Sequence, residues 1–181
     1  MKTVIVFESM FGNTEHFAKE IAEGLAEAGA EPTLVDVRSV QPADLRGCDL
    51  LIVGAPTHAF SMSRQSTRED AVRQGAIPAR AAVGIREWLP TLDDVFPSAS
   101  ERPFVAAFDT RVEKVRRIPG SAAKRAAHAL RAHGFALLAP PISFYVADVK
   151  GPATFGEIFE AHTWAAHLAE LMAARSTKDV S

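Results

Sequence analysis

The apolar positions of this chain change period in a regular order. Residues 3–7 form an unbroken β-branched and aromatic run, the pattern of a strand covered on both faces. Over residues 14–28 the period becomes helical: Phe17, Ile21, Leu25 and Ala28 share one stripe, Glu15, Lys19, Glu23 and Glu27 lie off it, and Gly29 is placed to end the helix. An extended segment follows around Thr33, Leu34 and Val35, and residues 49–55 repeat the fully apolar strand pattern. Residues 83–92 predict a helix through Ile85, Trp88, Leu89 and Leu92, and residues 103–108 a further buried strand. Gly120 or Ser121 starts a helix that runs to Gly134. A last strand opens at residues 135–138, breaks at Pro140 and Pro141 and resumes over residues 142–146. Residues 157–175 then predict a long helix buried along Ile158, His162, Ala165, Ala169 and Met172.

Buried strands alternating with amphipathic helices specify an α/β fold, a parallel sheet with helices on both faces. Five such strands predict the order 2-1-3-4-5. One domain over residues 1–175 is expected, with a polar tail, residues 176–181, that frays. The connection over residues 56–82 exceeds the usual loop length, and long loops in compact domains carry function or move.

Composition narrows the classes. A chain of 181 residues with 48% hydrophobic content can bury one sizeable core. No stretch approaches the roughly 20 apolar residues of a membrane span, so a cytoplasmic protein is expected. Cys48 stands alone, which excludes an internal disulfide and a thiolate metal cluster; it reads as a core residue. The histidines show no metal-ligand spacing, so no metal is expected. A net charge of −2 gives no general attraction to nucleic acid. Locally the balance differs: residues 109–125 carry six basic side chains against Asp109 and Glu113, and residues 64–86 five arginines against Glu69 and Asp70.

In a doubly wound sheet, ligands bind beyond the carboxyl ends of the strands where the strand order reverses, here the loops after strands 1, 3 and 4. The first, Glu8-Ser9-Met10-Phe11-Gly12-Asn13-Thr14, joins a buried strand to a helix start. A helix start offers unpaired N–H groups and partial positive charge, so phosphate is its natural ligand. Ser9, Asn13 and Thr14 add side-chain donors, and Gly12 permits a tight wrap. The glycine patterns of dinucleotide and triphosphate sites are missing, as is any lysine.

Ser9-Met10-Phe11-Gly12-Asn13-Thr14-Glu15 before an amphipathic helix resembles the phosphate loop of the flavodoxin family. The likeness continues in Val53-Gly54-Ala55-Pro56-Thr57-His58 and in Ala107-Phe108-Asp109-Thr110-Arg111, in the family's order along the chain. It implies a flavodoxin-like three-layer sandwich holding FMN. Ser9, Met10, Phe11, Gly12, Asn13 and Thr14 would hold the phosphate; Pro56, Thr57, His58, Ala59 and Phe60 would flank the ring, and Asp109, Thr110 and Arg111 would lie near its other side.

The chain departs from the electron carriers of that family. It is nearly neutral, its second loop has His58 and Phe60 where a tyrosine or tryptophan is usual, and residues 56–60 contain no glycine. These features favour an FMN-dependent oxidoreductase that takes reducing equivalents from NAD(P)H or a reductase and passes them to a small acceptor such as a quinone. Arg111, Arg116 and Arg117, and then Arg64 and Arg68, are the candidates to hold charge near the ring or the phosphates of a nicotinamide cofactor. His58 is a candidate proton relay. The alternatives are a one-electron carrier that docks with redox proteins and a flavin-free binding module; the loop over residues 56–82 would close over the flavin or form a homodimer surface. A phosphoacceptor receiver is excluded, because Gly54-Ala55-Pro56 replaces the aspartate it needs at the end of the third strand.

Overall fold

The computed structural model describes residues 1–178. Its strands are β1 (Lys2–Phe7), β2 (Glu31–Asp36), β3 (Leu50–His58), β4 (Ser61–Met62), β5 (Phe104–Val112) and β6 (Ile142–Val146). Five run parallel in the order β2-β1-β3-β5-β6, which is the expected 2-1-3-4-5 with the short β4 set aside. The helices are α1 (Asn13–Glu27), α2 (Pro42–Leu45), α3 (Gln65–Arg73), α4 (Ile85–Trp88), α5 (Leu92–Val95), α6 (Ala122–Ala132) and α7 (Glu157–Lys178).

Strand alternation divides the core into two layers. Val4, Val6, Leu51, Val53, Val105 and Ala107 face α4, α5 and α6, where Ile85, Trp88, Leu92 and Leu130 close the layer. Ile5, Ile52, Ala106, Phe108 and Phe144 face α1 and α7. On that side Phe17 stacks on Phe144 at 4.9 Å, and Trp164 meets Phe108 edge-on at 6.2 Å. Both tryptophans and Cys48 are core residues, as their positions in the sequence suggest.

The structure corrects several boundaries. The helix expected over residues 83–92 is broken into α4, a 3-10 turn (Leu89–Thr91) and α5, because Pro90 has no N–H to continue the ladder. Residues 135–138 make only an isolated bridge, Val105 with Leu137, before the two prolines. The buried stripe of α7 runs through Ala161, Trp164, Ala165, Leu168 and Met172; His162 turns to the side of α1, where a ring nitrogen meets Glu20 Oε2 at 2.8 Å. That helix continues through residues 176–178, which were expected in the tail; the rest of the tail, residues 179–181, lies outside the described residues.

Helices α1 and α7 pack closely because Gly24 has no side chain. A Cβ there would stand 3.0 Å from Ala165 Cβ and 3.2 Å from His162 Cα. Gly24→Val should therefore force the two helices apart and lower stability by about 1–3 kcal/mol, read as a fall in the urea midpoint with an unchanged slope.

Candidate functional site

The parallel register aligns Phe7 with Gly54 and Gly54 with Phe108, so β1, β3 and β5 reach the same end of the sheet together. Beyond that end lies a cleft of about 290 Å³, near the lower limit for small-molecule sites. Ser9, Met10, Phe11, Asn13 and Thr14 form one wall, and Pro56, Thr57, His58 and Ala59 another. Thr110 and Val112 of β5, with Val146 and Val149, close it from the side of β6. Of the expected residues, Gly12, Phe60, Asp109 and Arg111 do not line it.

Two long helices begin at this end of the sheet, and their N-termini are treated differently. At α6, Thr57 Oγ1 accepts from Ala122 N at 2.8 Å, Asp109 Oδ2 from Ala123 N at 2.8 Å, and Ser121 Oγ from Lys124 N at 3.2 Å. Its first amides are thus filled by side chains of this chain. At α1 the N-cap is Gly12, in the left-handed region with φ +94°, and no side-chain hydrogen bond caps it. The first helical amide to find a partner in its own turn is that of His16, on Gly12 O. Beside this open terminus Ser9 is buried and its Oγ has no hydrogen-bond partner among the described residues. Thr14 Oγ1 and Thr110 Oγ1 share a hydrogen bond of 2.8 Å at the same place. Open amides, an orphaned buried hydroxyl and a bare glycine fit a phosphoryl group held without a cation. The Asn13 side chain is already used: its Nδ2 donates to Val149 O at 2.8 Å and ties the loop after β6 to the start of α1.

The second and third loops differ from their expected form. β3 does not stop at Ala55 but continues to His58, then turns back into β4 through Ala59 and Phe60, with His58 paired to Ser61. Both turn residues have positive φ, +46° and +62°, the two-residue geometry that suits strand twist but costs energy without glycine. Phe60 leans on Gly120, where a Cβ would lie 2.8 Å from Phe60 O. His58 stays partly accessible at the cleft wall, and burial together with the Arg68 guanidinium holds its imidazole below the ordinary value, in the neutral form.

The third segment is not a loop: β5 continues through Val112, so residues 109–112 alternate across the sheet. Thr110 and Val112 face the cleft. Asp109 and Arg111 project to the opposite face, where Asp109 caps α6 and Arg111 Nη2 donates to Val115 O and Ile118 O. Arg116 lies over the Tyr145 ring at 4.4 Å. The residues alone do not choose between the faces, because a strand end and a loop look alike in so short a segment.

The reading of residues 56–82 as one long loop missed α3 and the 3-10 turn (Pro78–Ala81). Thr67, Asp70, Ala71 and Gln74 of this segment line the cleft, and Ala71 and Ala76 pack on Met10. A buried network anchors it. Glu8 accepts from Ser63 Oγ at 2.5 Å and from Ile85 N at 2.8 Å, while Arg68 Nη1 reaches Ser63 Oγ and Glu87 Oε2, each at 3.0 Å. Arg68 is therefore structural, and Arg64 is the exposed N-cap residue of α3.

Burial raises Asp109 above the ordinary aspartate value, against the lowering effect of Ala123 N and the hydroxyls around it. The native state then holds the Asp109 proton more tightly than the unfolded chain, so stability falls as pH climbs from 3.8 through the raised native value. Asp109→Asn keeps an acceptor for Ala123 N and removes the ionisation. Urea unfolding across that window should show a flatter pH profile for the variant than for the wild type.

Residues 5–74 match the family model for flavodoxin. A putative diflavin flavoprotein A 4 of Synechocystis is 33% identical over 61 residues, which cover 32% of this chain and 10% of that protein. Among solved structures, rubredoxin oxygen:oxidoreductase from Desulfovibrio gigas superimposes with a TM-score of 0.66 at 21% identity, covering 96% of this chain and 36% of that one. Flavodoxin 1 from Bacillus cereus gives 0.63 at 19% identity, covering 94% and 98%. This chain thus spans about a third of the first of these structures and nearly all of the second. The described chain thus has a flavodoxin-like fold, and within it residues 5–74 are similar in sequence to the flavodoxin family.

Proposed function

We propose that the cleft binds FMN and that the chain is a redox module passing reducing equivalents to an acceptor. The observation that carries this reading is the contrast between the two helix starts: α6 is filled by Thr57, Asp109 and Ser121, and α1 is left open beside the unpartnered Ser9 hydroxyl. In the proposed complex the α1 amides and Ser9 Oγ hold the phosphate, with the Thr14 and Thr110 hydroxyls beside them. Pro56, with Val112, Val146 and Val149, gives the cleft apolar surface against which a flat ring can lie. Bound FMN supplies a centre that takes up two electrons and a proton. The chain's contribution to the proton is His58, whose neutral ring nitrogens accept or donate at the cleft wall.

The finer reading is an oxidoreductase that draws on NAD(P)H and reduces a small acceptor such as a quinone. It rests on His58 and on the glycine-free turn at Ala59 and Phe60; Arg111, Arg116 and Arg68, engaged elsewhere, no longer support it. A second reading, a carrier module that serves a redox partner or a larger flavoprotein, draws on the small share of the diflavin flavoprotein and of the rubredoxin oxygen:oxidoreductase that this chain matches.

Titrating the purified apoprotein with FMN and following flavin fluorescence tests the cofactor. Saturable quenching is expected, and Ser9→Ala with Thr14→Ala should weaken affinity by roughly 10- to 100-fold, the loss of one or two hydrogen bonds to a charged group. No binding by the wild type would leave the flavin-free module. For the loaded protein, anaerobic NADPH should bleach the flavin directly; bleaching only through an added reductase would favour the carrier.

A further inference from the structure

A second groove, of about 570 Å³, runs along the outer side of the phosphate loop and shares Met10 and Phe11 with the cleft. Three cations, Lys19, Arg80 and Lys150, border it against one carboxylate, Glu15, in a chain whose net charge is −2. Glu15 is bridged between two of them: Lys19 Nζ lies 2.8 Å from Oε1 and Arg80 Nη1 lies 3.0 Å from Oε2. One carboxylate thus draws two cations together beside the groove, so part of the ordering that binding an anion requires is already made. Lys150 has no ion pair or hydrogen-bonded acceptor for its ammonium among the described residues. It stands over Gly75, with Nζ 3.6 Å from where a Cβ would be. Ile77, 58% exposed, adds apolar surface beside the charges. Cations next to an apolar platform, at a phosphate loop, are the chemistry that recognises a phosphorylated nucleoside.

We infer that this groove binds the phosphorylated adenosine end of a dinucleotide, with its phosphate on Arg80, Lys19 and Lys150 and its base over Ile77 and Phe11. The inference rests on the redox reading above, since a dinucleotide is either the electron donor or the flavin itself. It also moves the expected nucleotide contacts from the arginines of residues 109–125 to the opposite rim of the phosphate loop.

The test uses adenosine 2′,5′-bisphosphate as probe, titrated calorimetrically into the full chain with and without FMN. Saturable binding that weakens with added salt is expected. Lys150→Ala should weaken it about tenfold, the loss of one charge-assisted contact, and Arg80→Ala with Lys150→Ala should weaken it further. A melting curve establishes that the double variant is folded, and FMN affinity should stay within about twofold in Lys150→Ala. Absent probe binding, probe binding indifferent to Lys150, or a parallel loss of FMN affinity in Lys150→Ala would each overturn the inference. FMN binding without probe binding defeats this inference alone, whereas probe binding without FMN binding defeats the flavin reading. The source is then assigned by comparison: a Lys150-dependent preference of the apoprotein for FAD over FMN points to the flavin, and Lys150-dependent displacement of the probe by NADPH points to the donor.

Discussion

Glu8 leaves β1 at the point where the strand gives way to the loop before α1, and its buried carboxylate holds the two ends of the long connection after β3. One oxygen takes the Ser63 hydroxyl and the other the Ile85 amide. Burial lifts this carboxyl above its ordinary range even with Arg68 nearby, so the arrangement is costly and persists only because its partners are in place. Ser9, the next residue, inherits its position from this anchor. The same anchor sets where α3 can lie, and so where Ala71 and Ala76 meet Met10. The cleft is thereby built from distant segments whose spacing is fixed by one carboxylate.

The second constraint is the alternation of β5. Because the strand continues to Val112, neighbouring residues are sent to opposite faces: Thr110 reaches Thr14 while Asp109 reaches the amide of Ala123. A polar run that looks like one functional loop is therefore divided between the cleft and a helix cap. The division has a chemical result: β5 turns the Asp109 carboxylate to α6 and presents the Thr110 hydroxyl beside α1.

Charge is distributed by the same rule of prior engagement. Arg68, Arg111 and Arg116 are committed to Glu87, to carbonyls of the turn after β5 and to the Tyr145 ring. The basic surplus of residues 109–125 is thus no measure of the field in the cleft. The cations that border the loop before α1 come from α1, from the turn after α3 and from the loop after β6, three segments that no local count would add together.

The apolar runs at residues 3–7, 49–55 and 103–108 and the helical stripe of Phe17, Ile21 and Leu25 determined the layers and the strand order. Burial on both faces leaves an unmistakable pattern in sequence. The start of α1 after Gly12 was legible for a related reason, because a helix start after a buried strand is a local feature. What only the tertiary structure decided was orientation and closure: that His58 ends a strand, that Asp109 and Arg111 face away, that Asn13 is spent on Val149, and that α3 walls the cleft. Those outcomes depend on hydrogen bonds between residues as far apart as Asn13 and Val149 or Glu8 and Ile85. Such pairings leave no period in the chain, since neither partner's neighbours change when the other is chosen.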